Sequence, residues 1–216
     1  MTWRDLDPQA RGDLRDLPLS LVERLGGHLA AAGVLVDDDP ELAYRHAMEA
    51  RRITPRLGIV REAVGVTAYA CGRWEEAIRE LRAARRLGGG DENLPLEADA
   101  ERGLGRPERA LALAADPRVD ELPDDARLEM LVVAAGARRD LGEPAAAVRL
   151  LEVSALQDDR PLPQLVRLRY AYADALLDCG RADEARSWFA RAAVLDEDLL
   201  TDAVDRMTEL DEQADG

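Results

Sequence analysis

Apolar residues recur every three or four positions along most of the chain, and glycine, proline and aspartate interrupt them at short intervals. Residues 72–87 show the unit: after Gly72 and Arg73, Trp74 opens a run in which Ala77, Leu81 and Ala84 fall at i, i+4 and i+7. That spacing lays them along one face of an α-helix. The same period predicts helices over residues 21–34, 40–54, 58–71, 72–87, 94–104, 108–115, 126–141, 145–155, 165–179, 182–195 and 199–210. Start signals support several of them. Asp39 before Pro40 combines an N-cap side chain with a proline whose missing N–H lacks an intrahelical partner anyway. Residues 1–20, with Pro8, Gly12 and Pro18 among aspartates and arginines, are expected to be a loosely ordered lead-in with no more than one helical turn.

The second helices of successive pairs align on Ala43, Ala77, Ala110, Ala147 and Ala185, at spacings of 34, 33, 37 and 38 residues. Twelve residues before each stand Ala31, Gly65, Ala98, Ala135 and Ala173, all small enough for two helices to cross closely. Five before stand Asp38, Gly72, Gly105, Gly142 and Gly180, where glycine provides a left-handed turn. Three before stand Pro40, Trp74, Pro107, Pro144 and Ala182. The third repeat departs from the pattern, placing Glu97 and Glu101 where apolar residues are expected, and the fourth places Arg138 at the position of Glu101.

Taken together these columns resemble the tetratricopeptide repeat, a period of about 34 residues per helix–turn–helix. The resemblance covers residues 24–197, and its clearest positions are Gly65, Ala77, Leu81 and Ala84 in the second repeat and Ala173, Ala185, Phe189 and Ala192 in the fifth. It implies an all-α fold: a right-handed superhelix of about five repeats over residues 21–197, with a capping helix and acidic tail over 198–216. On that cap Leu199, Leu200, Ala203, Met207 and Leu210 would form the apolar face. Short actinobacterial cytoplasmic proteins of this family are similar in kind.

Composition narrows the function. A formal charge of −15 disfavours general nucleic-acid or anionic-membrane binding, which draws on basic residues. All 29 basic residues are arginine. With abundant alanine and aspartate this points to a GC-rich genome such as an actinobacterial one, although a halophile would also be acidic and poor in lysine. The N-terminus lacks the apolar core of a signal peptide, and no run reaches the roughly 18–20 apolar residues of a membrane span. A soluble, cytoplasmic protein is expected.

Catalytic chemistry is thinly supplied. His28 and His46 lie in different helices without paired metal-ligand spacing, and Gly88-Gly89-Gly90 has no following lysine to make a phosphate loop. Cys71 and Cys179 share a repeat position three repeats apart, on the order of 30 Å at ~10 Å per helix layer, too far to bond. No enzyme activity, cofactor or metal is expected. The resemblance places Glu62, Val66, Tyr69, Asp99, Arg102, Val132, Arg139, Tyr170, Asp174 and Leu177 on a concave groove. Tyr69 and Tyr170 would anchor a peptide or partner protein there, with Arg102 and Arg139 meeting its acidic groups. The alternative is a regulatory or nucleoprotein-associated factor whose arginine stripe, Arg51, Arg52, Arg85, Arg86 and Arg118, at equivalent places in successive repeats, binds an acidic or phosphate-bearing partner or the chain's own acidic tail. Homodimerisation through an end repeat stays open.

Overall fold

A computed structural model of the chain describes residues 1–214; the last two residues of the expected acidic tail, Asp215 and Gly216, lie outside the described residues. The described chain is all-α, with no strand. Its helices are α1 (Pro8–Leu14), α2 (Leu19–Leu35), α3 (Pro40–Ile53), α4 (Gly58–Ala70), α5 (Trp74–Arg86), α6 (Leu94–Gly103), α7 (Pro107–Ala114), α8 (Asp124–Asp140), α9 (Pro144–Leu151), α10 (Pro163–Asp178), α11 (Ala182–Ala193) and α12 (Ala203–Ala214). Among the described residues no helix is long and apolar enough to cross a membrane. The chain divides into two compact units, residues 1–104 and 105–216.

In the first unit α2 packs on α3, α3 on α4, α4 on α5 and α5 on α6. The turn between α4 and α5 shows why a glycine stands there. Gly72 adopts φ +69°, its N–H donates to the Tyr69 carbonyl at 2.9 Å, and the Arg73 N–H reaches the Ala68 carbonyl at 2.8 Å. These two bonds satisfy the carbonyls that end α4 and require the left-handed residue between them. Close approach of the pair depends on Gly65, where a Cβ would lie 2.7 Å from the Leu81 side chain. Ala43 and Ala77 are fully buried at the crossings. Trp74, standing where three other repeats have proline, sits edge-on to Tyr69 and lies on Gly103, which has no side chain to displace it.

The second unit repeats this construction. Gly142 (φ +73°) and Gly180 (φ +75°) close α8 and α10 with the same pair of bonds, and Ala110, Ala147 and Ala185 are fully buried. Leu165, Leu168, Leu176 and Phe189 centre its core, and burying Phe189 alone is worth roughly 2–3 kcal/mol. Arg169 is buried beside them. Its guanidinium donates to the carbonyls of Leu156, Arg191 and Asp158 and to the Asp159 carboxylate, which fixes the loop before α10.

Three expectations change. The lead-in is ordered: a 3-10 turn at Trp3–Asp5 precedes α1, whose N-cap Asp7 accepts from the Ala10 N–H at 2.8 Å ahead of Pro8. This is the same Asp-Pro signal that starts α3. Residues 152–155 leave the helix, and α9 ends at Leu151 before a separate 3-10 turn. The C-terminal helix starts at Ala203 rather than 199, because Asp196 accepts from the N–H groups of Leu200 and Thr201 and ties the chain into a loop. Ala203, Met207 and Leu210 pack inward as expected, whereas Leu199 and Leu200 are exposed.

Candidate functional site

The N-terminal segment is held against α2 by a contact that only glycine permits. Trp3 lies so close to Gly26 that a methyl group there would collide with it. α1 then forms one wall of a cavity of about 430 Å³, with α2 and α4 as the others. Leu29, Ala32, Val36, Ile59, Ala63 and Val66 give it an apolar floor, and Asp7, Asp13, Glu62 and Glu92 supply its charge. No arginine or histidine lines it. Gly33, inside α2, also lines the cavity, and a Cβ built there would meet nothing within 4 Å.

Glu62 carries the electrostatic signature of the site. Its pKa is raised, first by burial and then by the charges of Glu92, Asp13 and Asp7, against the opposing hydrogen bond from Asn93 at 2.7 Å. Burial disfavours the ionised carboxylate and three like charges disfavour it further.

Two residues of the expected groove, Glu62 and Val66, line this cavity. Tyr69, Asp99 and Arg102 form a chain beside it: the Tyr69 hydroxyl donates to Asp99 at 2.6 Å, and Arg102 donates to the other Asp99 oxygen at 2.7 Å. Of the remaining five, Arg139, Tyr170 and Asp174 belong to a second cluster, in the other unit. Arg139 bridges Asp174 (3.1 Å) and Asp178 (2.6 Å), and Arg206 of α12 reaches Asp174 at 3.0 Å. Tyr170 donates to Asp202 at 2.5 Å; its pKa is pushed up to about 12, first by burial and then by that bond. Val132 and Leu177 pack against the core of that unit. Both tyrosines expected to meet a peptide are therefore already committed to carboxylates of the chain.

The arginine stripe divides as well. Arg51 (3.1 Å) and Arg61 (2.7 Å) hold the carboxylate of Glu80, while Arg82 (2.5 Å) and Arg85 (2.8 Å) hold that of Glu97; both acids are only 1% exposed. Arg82 also reaches the buried Glu101 at 3.3 Å. The acids that violated the repeat pattern at 97 and 101 are thus internal partners of arginines on the preceding helix. Arg52 pairs with Glu49 on the surface, Arg86 is exposed, and Arg118 is bound to Asp116.

Sequence reasoning missed two features. The cavity wall from α1 was one. The other is the contact of His28 Nδ1 with His46 Nδ1 at 3.0 Å, in which one ring must donate and the other accept. Burial, then the neighbouring His28, then Arg45 lower the pKa of His46. Cys71 and Cys179 are free thiols, and each follows directly on the last residue of its helix. Among the described residues no group of three or more His, Cys, Asp or Glu side chains is placed to hold a metal ion. No protein-family model matches the chain, and a search of curated proteins returned no match.

Proposed function

We propose that the chain is a tetratricopeptide-like array of five helix pairs, closed by α12, that acts as a non-enzymatic scaffold and receives a peptide segment of a partner protein in the cavity beside α1. The repeat reading is supported by five equivalent alanines, all fully buried, and by four equivalent glycines with φ between +69° and +75°. The observation that carries the binding reading is the cavity itself. Its volume falls in the range of about 300–1,000 Å³ typical of ligand sites, its floor is apolar, and its polar groups are mostly carboxylates.

Peptide display against the full chain tests this. Sequences enriched on the wild type should be lost on Gly33→Phe, whose ring would enter the open space at that position. Equal enrichment on both proteins would place binding elsewhere.

A further inference from the structure

Several carboxylates of this chain that lose water gain an arginine, whereas buried Asp196 is held by the Thr201 hydroxyl and the Leu200 and Thr201 N–H groups. Glu80 has Arg51 and Arg61, Glu97 has Arg82 and Arg85, and Asp174 has Arg139 and Arg206. Glu62 is placed differently from both. Its partner is the neutral side chain of Asn93, and the charged groups around it are the acids Glu92, Asp13 and Asp7. These four carboxylates come from three elements, α1 with its cap, α4, and the connection leading into α6, and all line one apolar-floored cavity. Among the described residues no arginine lines that cavity.

Resting on the binding reading above, we infer that the segment received by the cavity is a basic, apolar one: an arginine or lysine whose charged head meets Glu62 and the neighbouring acids while its aliphatic stem and an adjacent apolar side chain cover the floor. Long basic side chains divide in this way, stem on apolar surface and head toward charge. An inorganic cation or a polyamine would leave the floor formed by Leu29, Ala32 and Val66 in contact with water. An acidic segment would bring like charge into a site that already disfavours the ionised Glu62. The affinity should also rise with pH, because a cation favours ionised Glu62, with Glu92, Asp13 and Asp7 acting in the same direction.

Fluorescence-polarisation titrations of the full chain with three short labelled peptides, alternating leucine with arginine, glutamine or glutamate, test the inference. The arginine peptide should bind about tenfold more tightly than the glutamine peptide and weaken as salt is raised, and the glutamate peptide should not bind. Glu62→Gln keeps the shape of the side chain and the oxygen that accepts from Asn93, so it should fold and still weaken the arginine peptide about fivefold. Asp205→Asn, which removes an exposed charge on α12, serves as the control for the diffuse attraction of an acidic protein. Gly33→Phe should abolish binding. If Asp205→Asn weakens binding as much as Glu62→Gln, or if spermidine alone displaces the peptide fully, the inference is overturned. If the glutamine peptide binds as tightly as the arginine one and is lost in Gly33→Phe, the scaffold reading stands and the cation preference falls. Binding of no peptide, or binding indifferent to Gly33→Phe, removes both.

Discussion

At the scale of single residues, the same substitution should have opposite signs at two glycines. Gly33 sits inside α2 with open space where a side chain would go, so Gly33→Ala exchanges a poor helix former for the best one and should stabilise the fold by about 1 kcal/mol. Gly142 also has open space, but its φ of +73° is a left-handed conformation, and Gly142→Ala should cost about 1–2 kcal/mol. Urea titrations of the two variants decide it, and shifts of the same sign would refute the argument. Glu62 supplies a pH-dependent counterpart. Because its folded pKa is raised, the stability it contributes is present below the ordinary glutamate range and is lost as pH rises through the folded value. Glu62→Gln should therefore be more stable than wild type at about pH 7 and no more stable at about pH 4, as read by thermal melts at both.

Between elements, the arginine–glutamate contacts tie α3 and α4 to α5, and α5 to α6. Removing both cations strands Glu97 in the core. The double change Arg82→Met with Arg85→Met should then destabilise by about 3–5 kcal/mol, and Glu97→Gln by clearly less, since arginines on the rim can turn to water. Chemical denaturation in which the two variants lose equal stability would contradict this. In the second unit, the loop before α12 hangs on Asp196. Burial raises its pKa, but hydrogen bonds from Thr201 and the Leu200 N–H outweigh that and leave it lowered. A lowered acid contributes stability above its unfolded pKa and loses it as pH falls through the folded one. Asp196→Ala should accordingly speed amide exchange in α12 at neutral pH and have little further effect in strong acid.

Elements were the most legible level in the sequence, since glycine, proline and aspartate act on the backbone within a few residues. Gly72 and Gly142 could be read as turns because left-handed backbone leaves few alternatives. The Asp7-Pro8 start of α1 carried the same local signal as Asp39-Pro40, but three residues of period were too few to distinguish a helix from a lead-in. Side-chain partners were not legible. Glu97 and Glu101 stood out as acids on an apolar face, yet nothing within their own helix names Arg82 or Arg85. The partners of the groove residues were equally illegible. Position in the repeat puts Tyr69 and Tyr170 on a concave groove, and each hydroxyl donates to a carboxylate about 30 residues further along the chain. Only Glu62 and Val66 reached the cavity, which depends on Trp3 meeting Gly26 across an interval no periodicity spans.

For the molecule as a whole, the excess of acid sets conditions that no single pair controls. At a formal charge of −15 the folded chain repels itself over distances that salt screens, whereas buried pairs such as Glu80 with Arg61 are screened far less. The melting temperature should rise between about 20 mM and about 300 mM sodium chloride. A fall would mean that exposed ion pairs outweigh the net repulsion.

The empty notch at Gly33 also says how the protein would respond to selection. A laboratory search for heat resistance alone should find position 33 early, since almost any helix-forming side chain improves α2 at no steric cost. The larger of those side chains would also close the cavity. Thermal hardening and partner recognition should therefore compete over side-chain size at a single position, and variants selected for both traits together should carry nothing larger than alanine there.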